Sequence, residues 1–282
     1  MNAVLTSVAS RSPEVEIFDV QAGSWNEPLS AYLAKPVGAK PKSLPAILLC
    51  HGAGVASSRQ SVAEQWAQDG FLVLDFNAHG LPNGQPQDFY RDLYKSELAR
   101  YYLNGVQSRE TTYFRELYLR MLRGLDVLTA QPEWDGEILV AFGRSKGGAQ
   151  AIAAAGLDPR VTFLAAQISA LCDHTGFAVG RINGWPKWIP SDAEGKPDPA
   201  AIEASRYYDG VNFAAKTKAD AFFTVGFIDM SCPPTGVYAA YNQITGEKEM
   251  MDQYRLGHRT SPEADAGARS AVLAHVVKQT TP

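Results

Sequence analysis

The chain has 282 residues, 45% of them apolar and 20% charged, a balance that suits a globular fold with its own core. An aromatic content of 10% argues against disorder, and a formal net charge of -4 offers no basic surface to a nucleic acid. No apolar run reaches the ~18 residues of a membrane-spanning helix, so no membrane partner is expected.

Residues 1–13 lack both a basic and an apolar stretch, so no signal peptide is visible and a cytoplasmic protein is expected. Residues 15–20 and 29–35 flank a turn-rich stretch and predict an antiparallel hairpin at a sheet edge. The continuous apolar runs 45–50 and 71–76 predict strands buried on both faces. Between them, Val62 and Trp66 give residues 57–69 a helical period, stopped by Gly70. Residues 80–84 read as a loop, and 88–104 as irregular chain with a helical turn. The clearest helix is 110–129, where Phe114, Leu117, Met121, Leu125 and Leu128 form one stripe. Strands at 138–142, 161–168 and 221–227 follow, with a small-residue helix at 147–155 and a helix at 234–244. One more strand belongs within 247–256, and the last helix spans 263–278.

This alternation predicts an α/β fold: a mostly parallel central sheet, helices on both faces, and the antiparallel hairpin at the N-terminal side. Residues 1–282 read as a single domain. Residues 173–205, rich in Gly and Pro and carrying Trp185 and Trp188, read as an insertion serving as lid, binding loop or subunit contact. The three cysteines, Cys50, Cys172 and Cys232, are too few for a disulfide framework or a zinc site. Buried thiols are expected, with a Cys172–Cys232 bridge as the alternative.

Gly143-Arg144-Ser145-Lys146-Gly147-Gly148 sits directly between a predicted strand and a predicted helix. That is the strand–turn–helix context in which G-x-S-x-G forms the nucleophile elbow of an α/β-hydrolase. The serine occupies a strained turn, and glycines two before and two after let the backbones pass closely. A serine hydroxyl needs a base and a group that orients the base, and this fold requires the order Ser, acid, His. Asp229, after the strand 221–227, is the expected acid, and His258 the expected base. His174 precedes the acid, and His275 lies inside the last helix in a packing role. The oxyanion requires two N–H donors: Lys146, just after the nucleophile, and Ala53, in the loop His51-Gly52-Ala53-Gly54. His51 is expected to hydrogen-bond within that loop, and the Lys146 side chain to be solvated at the helix start.

These motifs resemble those of the acetyl xylan esterase and cephalosporin C deacetylase family of carbohydrate esterases. Four stretches carry the resemblance: residues 48–52, residues 118–128 with the elbow, residues 225–242 with Asp229 and Cys232-Pro233-Pro234, and Gly257-His258. It implies serine hydrolase action on small acyl esters of sugars, with Ser145, Asp229 and His258 as nucleophile, acid and base. It also implies a homo-oligomer. The chain departs from the family where Arg-Gly-Gln becomes Asn77-Ala78-His79 and where the Gln after the nucleophile becomes Lys146. Ala53 replaces a tyrosine, and Arg259 replaces a glutamate after His258. The expected reaction is ester hydrolysis through an acyl-enzyme, without a cofactor or metal, on a small-molecule ester such as an acylated sugar. The alternatives are another ester (a uronate ester, for example), a lactone, an amide or peptide bond, or a silent binding protein. His79, His174, Trp185 and Trp188 are candidates for lining the substrate entrance.

Overall fold

The computed structural model describes residues 3–24, 27–56 and 60–281. Its strands are β1 (Ala3–Val8), β2 (Val15–Ser24), β3 (Glu27–Pro36), β4 (Leu44–Cys50), β5 (Leu72–Phe76), β6 (Trp134–Arg144), β7 (Phe163–Gln167), β8 (Asp220–Gly226) and β9 (Lys248–Gln253). The helices are α1 (Gln60–Gln68), α2 (Gln87–Lys95), α3 (Tyr113–Thr129), α4 (Lys146–Leu157), α5 (Pro199–Ser205), α6 (Gly210–Ala214), α7 (Pro234–Gln243) and α8 (Pro262–Thr280). The strands form one sheet in the order β1-β2-β3-β5-β4-β6-β7-β8-β9. The β1–β2, β2–β3 and β3–β5 pairs are antiparallel, and every pair from β5–β4 to β8–β9 is parallel.

Strand periodicity divides the apolar runs between two cores. Ala46, Leu48, Cys50, Leu72, Leu74 and Phe76 pack in the cluster with α3, α4 and α7. Ile47, Leu49, Val73 and Val140 pack in the other, with α1 and α8. The α3 stripe from Phe114 to Leu128 is fully buried as its spacing requires; each such side chain contributes about 1.5–3 kcal/mol. Gly70, at φ 90°, ends α1 in the left-handed conformation that glycine adopts without penalty. Among the described residues no helix is long and apolar enough to cross a membrane.

Three expectations change, while that of buried thiols holds. The hairpin is not the sheet edge, because β1 pairs outside β2 from Ala3↔Ala22 to Val8↔Ile17. Residues 88–104 hold a full helix, α2, followed by a 3-10 turn at Tyr101–Leu103; Phe89, Tyr90, Leu93 and Tyr94 share one face of α2, and of these only Tyr90 is buried. Cys50, Cys172 and Cys232 are buried, free thiols, and the alternative bridge is not formed. The 173–205 segment has structure of its own, with a 3-10 turn at Gly176–Val179 and the helix α5. The start of the first predicted helix, 57–59, and the hairpin tip, 25–26, lie outside the described residues.

Candidate active site

Three neighbouring loops at the carboxyl end of the parallel strands bring Ser145, Asp229 and His258 together, where open α/β sheets bind ligands. Ser145 joins β6 to α4 at φ 58° and ψ -120°, a conformation that costs a non-glycine residue free energy. Its N–H donates to Gln167 O (2.9 Å) and its carbonyl accepts from Ala170 N (3.1 Å), so β7 and its loop hold the strained turn. The neighbouring glycines are required by contact. A Cβ on Gly143 would collide with the Gly147 backbone, and one on Gly147 with the Cys50 carbonyl.

Asp229 follows β8 and is 1% exposed. Its Oδ1 accepts from the N–H groups of Ser231 (2.8 Å) and Cys232 (2.9 Å), which fixes the carboxylate and leaves Oδ2 for the base. His258 lies between β9 and α8. The acid loop and base loop are zipped together by Phe227 N–H to Gln253 O (3.1 Å) and Ile228 N–H to Leu256 O (3.2 Å). Gly226 makes this approach possible, since a Cβ there would meet the Gly257 carbonyl at 2.5 Å. His258 Nδ1 reaches Asp229 Oδ2 at 2.7 Å, and its Nε2 reaches Ser145 Oγ at 2.9 Å. An acceptor carboxylate at Nδ1 sets the tautomer with Nε2 free to take the serine proton. The imidazole stays 32% exposed, open to substrate and water.

The β4–β6 register pairs Cys50 with Gly143, so the loop that starts at His51 leaves the sheet beside the elbow. Lys146 opens α4, where first-turn N–H groups have no intrahelical partner. His51 behaves as expected. Its Nε2 accepts the Ala78 N–H (2.9 Å), so Nδ1 carries the proton and donates to Gly52 O (2.9 Å).

The Lys146 side chain is not solvated. It is fully buried, with Nζ 3.3 Å from His79 Nε2 and 5.9 Å from the Tyr101 ring centroid. Its stem turns into the space between the loops after β4 and β5, which a sequence window around the elbow does not reveal. His79 is likewise buried beneath the site and does not line its entrance; Nδ1 meets Tyr113 Oη at 2.9 Å. Trp188 is a core residue with no exposed surface, stacked between Phe114 (4.9 Å) and Tyr208 (5.5 Å), its Nε1–H donated to Val106 O (3.2 Å). His174 is buried beside Trp188 (5.3 Å), its main-chain N–H held by Asp209 Oδ2 (2.8 Å). Of the four entrance candidates Trp185 alone keeps partial exposure, and its N–H donates to Ser231 O (2.6 Å) on the acid loop. His275 packs as expected, against Phe163 at 4.9 Å.

Two features escaped the sequence reading. Exposed Ile228 and Met230 flank Asp229, giving the mouth of the site apolar surface. The buried thiol of Cys232, itself expected, joins the site: Asp229, Cys232 and His258 place ligand-type atoms within 4.8 Å of one another. Burial, reinforced by Asp229, pushes this thiol well above the usual cysteine range and keeps it protonated. Asp229 and His258 are committed to each other, so the trio is better suited to proton transfer than to the four ligands a tetrahedral metal requires.

Residues 1–266 match the acetyl xylan esterase (AXE1) family. Acetyl esterase Axe7A of Xylanibacter ruminicola is 32% identical over 237 residues, 83% of this chain and 53% of that protein. The chain thus spans about half the length of this curated relative. Among solved structures, the acetyl xylan esterase from Paenibacillus sp. R4 shares the fold with a TM-score of 0.81 at 24% identity, over 96% of this chain and 88% of that one. Acetyl xylan esterase 1 from Thermoanaerobacterium sp. JW/SL YS485 has a TM-score of 0.80 at 21% identity, over 96% and 87%. An α/β-hydrolase sheet, a strained Gly-x-Ser-x-Gly turn and a family match along nearly the whole length agree: this chain belongs to the acetyl xylan esterase family.

Proposed function

We propose that the protein is a serine esterase that hydrolyses small acyl esters, acetyl esters above all, carried on carbohydrate. The observation that carries this reading is the unbroken hydrogen-bonded chain from Ser145 Oγ through His258 to Asp229. In this mechanism Ser145 Oγ attacks the ester carbonyl while His258 Nε2 takes its proton. The tetrahedral oxyanion is held by the Ala53 and Lys146 N–H groups. Collapse breaks the bond to the sugar oxygen, which takes the proton from His258 and leaves as a hydroxyl, and the acyl group remains on Ser145. Water, activated by the same imidazole, then frees the acid. Asp229 keeps the ring oriented and stabilises the imidazolium. The choice of acetylated sugar follows the family and the names of its relatives. The apolar mouth formed by Ile228 and Met230 suits a short acyl group or the face of a sugar ring.

The test is turnover of p-nitrophenyl acetate and of acetylated xylo-oligosaccharides by the wild type, Ser145→Ala and His258→Ala. Each variant is expected to fold and to lose about 10⁴–10⁶-fold in kcat, and the double variant little more, because the residues act as a unit. Butyryl and octanoyl esters, a lactone and an anilide complete the panel. Full turnover by purified Ser145→Ala removes the assignment. A preference for octanoyl, lactone or amide removes the acetyl ester reading while leaving the triad.

A further inference from the structure

Lys146 is the one lysine among the described residues with a fully buried side chain, and an ammonium without water around it is costly. An N–H donor to an oxyanion comes from the backbone and requires no cation, so the esterase reading leaves this side chain unexplained. Its surroundings are ordered. Nζ meets His79 Nε2 at 3.3 Å, and His79 Nδ1 meets Tyr113 Oη at 2.9 Å. The His79 ring stands edge-on to Tyr101 with centroids 4.6 Å apart, and Tyr101 Oη donates to the carbonyl of Ala53 at 3.0 Å. Asn77 closes the same frame: it accepts the His79 N–H (2.9 Å) and donates to Val55 O (2.9 Å). The two residues whose N–H groups are to hold the oxyanion are thus linked underneath through His79 and Tyr101.

We propose that the Lys146 side chain is a positioning residue for the oxyanion hole, locking the start of α4 to the Ala53 loop through His79 and Tyr101 and placing a titratable positive charge behind both donors. This inference rests on the esterase reading. The groups facing the amine are the Cys50 thiol at the end of β4, His51 in the loop after it, His79 after β5, Tyr101, and Arg120 of α3; Asp75 of β5 acts on the same thiol. Burial pulls the Lys146 amine down to about 7, against an opposing influence of Cys50 and with a smaller push from Arg120 in the same direction. Burial, and then Lys146 itself, hold His51 and His79 well below the usual histidine range, so both rings are neutral near pH 7. A neutral His79 accepts from the ammonium at Nε2 and donates from Nδ1 to Tyr113. A neutral amine still has N–H groups to donate to Nε2, so loss of the proton removes the charge and leaves the hydrogen-bond chain in place. The protonated form therefore favours the oxyanion, whereas the substrate, an uncharged carbonyl, gains little from it.

The experiment measures kcat and KM for p-nitrophenyl acetate across pH in the wild type, Lys146→Met, Lys146→Gln, Tyr101→Phe and Ser145→Ala, with folding followed by circular dichroism. Lys146→Met keeps the length and burial of the side chain without its charge, and Lys146→Gln serves if the methionine variant does not fold. Both are expected to lower kcat about tenfold or more with KM changed less than about twofold. The wild type is expected to decline in kcat above neutral pH, and both variants to lack that decline. Tyr101→Phe should lower kcat and keep that decline. A folded Lys146 variant with wild-type kcat and pH profile overturns the inference. So does one with lowered kcat and the alkaline decline intact, the outcome of a packing role alone. Activity in Ser145→Ala overturns the esterase reading as well; an inactive Ser145→Ala beside an unaltered Lys146→Met overturns this inference only.

Discussion

Lys146 also makes a stability prediction that does not depend on catalysis. Its folded pKa of about 7 lies below the ordinary lysine value of 10.5. Between those two values the unfolded chain holds a proton that the native chain does not. Stability therefore rises with pH across this window, and the burial penalty is complete below about 7. Lys146→Met removes the penalty. It should melt higher than the wild type at about pH 6, and this advantage should shrink by about pH 9.5, as measured by scanning calorimetry at both values. An advantage equal at both pH values would mean that the methionine merely packs better. The triad and the lysine differ in how legible they were. Ser145, Asp229 and His258 each follow a strand, so strand order and spacing predict that they meet at one end of the sheet. The environment of Lys146 is assembled from His79, Tyr101, Tyr113 and Arg120, which belong to other loops and helices. No periodicity near the elbow reports on them.

At the scale of the element, the 173–205 segment joins core to site. Its Trp188 ring fills the space between α3 and Tyr208, while Trp185, three residues earlier, ties its main chain to Ser231 of the acid loop and to Leu171. Composition marked the segment as unusual but left entrance, lid filling and subunit contact open for its tryptophans, and Trp188 turns inward. A tryptophan in a Gly/Pro-rich stretch carries no periodic signal to say which way its ring turns. Trp188→Ala should accordingly cost about 3–5 kcal/mol as a cavity mutation. Denaturant melts should show it as a loss of midpoint, with KM for acetyl esters unchanged and the mass in solution unaltered. A raised KM at undiminished stability would return Trp188 to the pocket. The helix α2 differs in another way: its apolar side chains Phe89, Tyr90, Leu93 and Tyr94 share one face, but over nine residues that pattern spans little more than two turns, whereas the α3 stripe runs through seventeen.

At the scale of the molecule, the parallel part of the sheet was readable because β4, β5, β6, β7 and β8 are apolar runs buried on both faces, whereas β1 left no such mark. Its burial pattern shows no buried position, and Val4 is 62% exposed. The strand therefore contributes main-chain pairing to the sheet and little to either core. Its partner β2 buries Val15, Ile17 and Val20. What β1 does supply is cover for the β2 edge, whose N–H and C=O groups would otherwise be open to another chain. The following turn is pinned to α1, where Glu64 Oε1 accepts from the Arg11 N–H (2.9 Å) and Ser10 Oγ (3.2 Å), so removal of the strand need not release the turn. A variant lacking residues 1–8 should thus fold, retain turnover of p-nitrophenyl acetate within about twofold, and melt a few degrees lower, since about 1 kcal/mol moves Tm by ~2–4 °C in a chain of this size. It should also associate with rising concentration, because the β2 edge is then free to pair. Light scattering across a dilution series reads that association directly. A deletion variant that stays monodisperse at every concentration would show that the β2 edge is protected by its own twist and side chains rather than by β1.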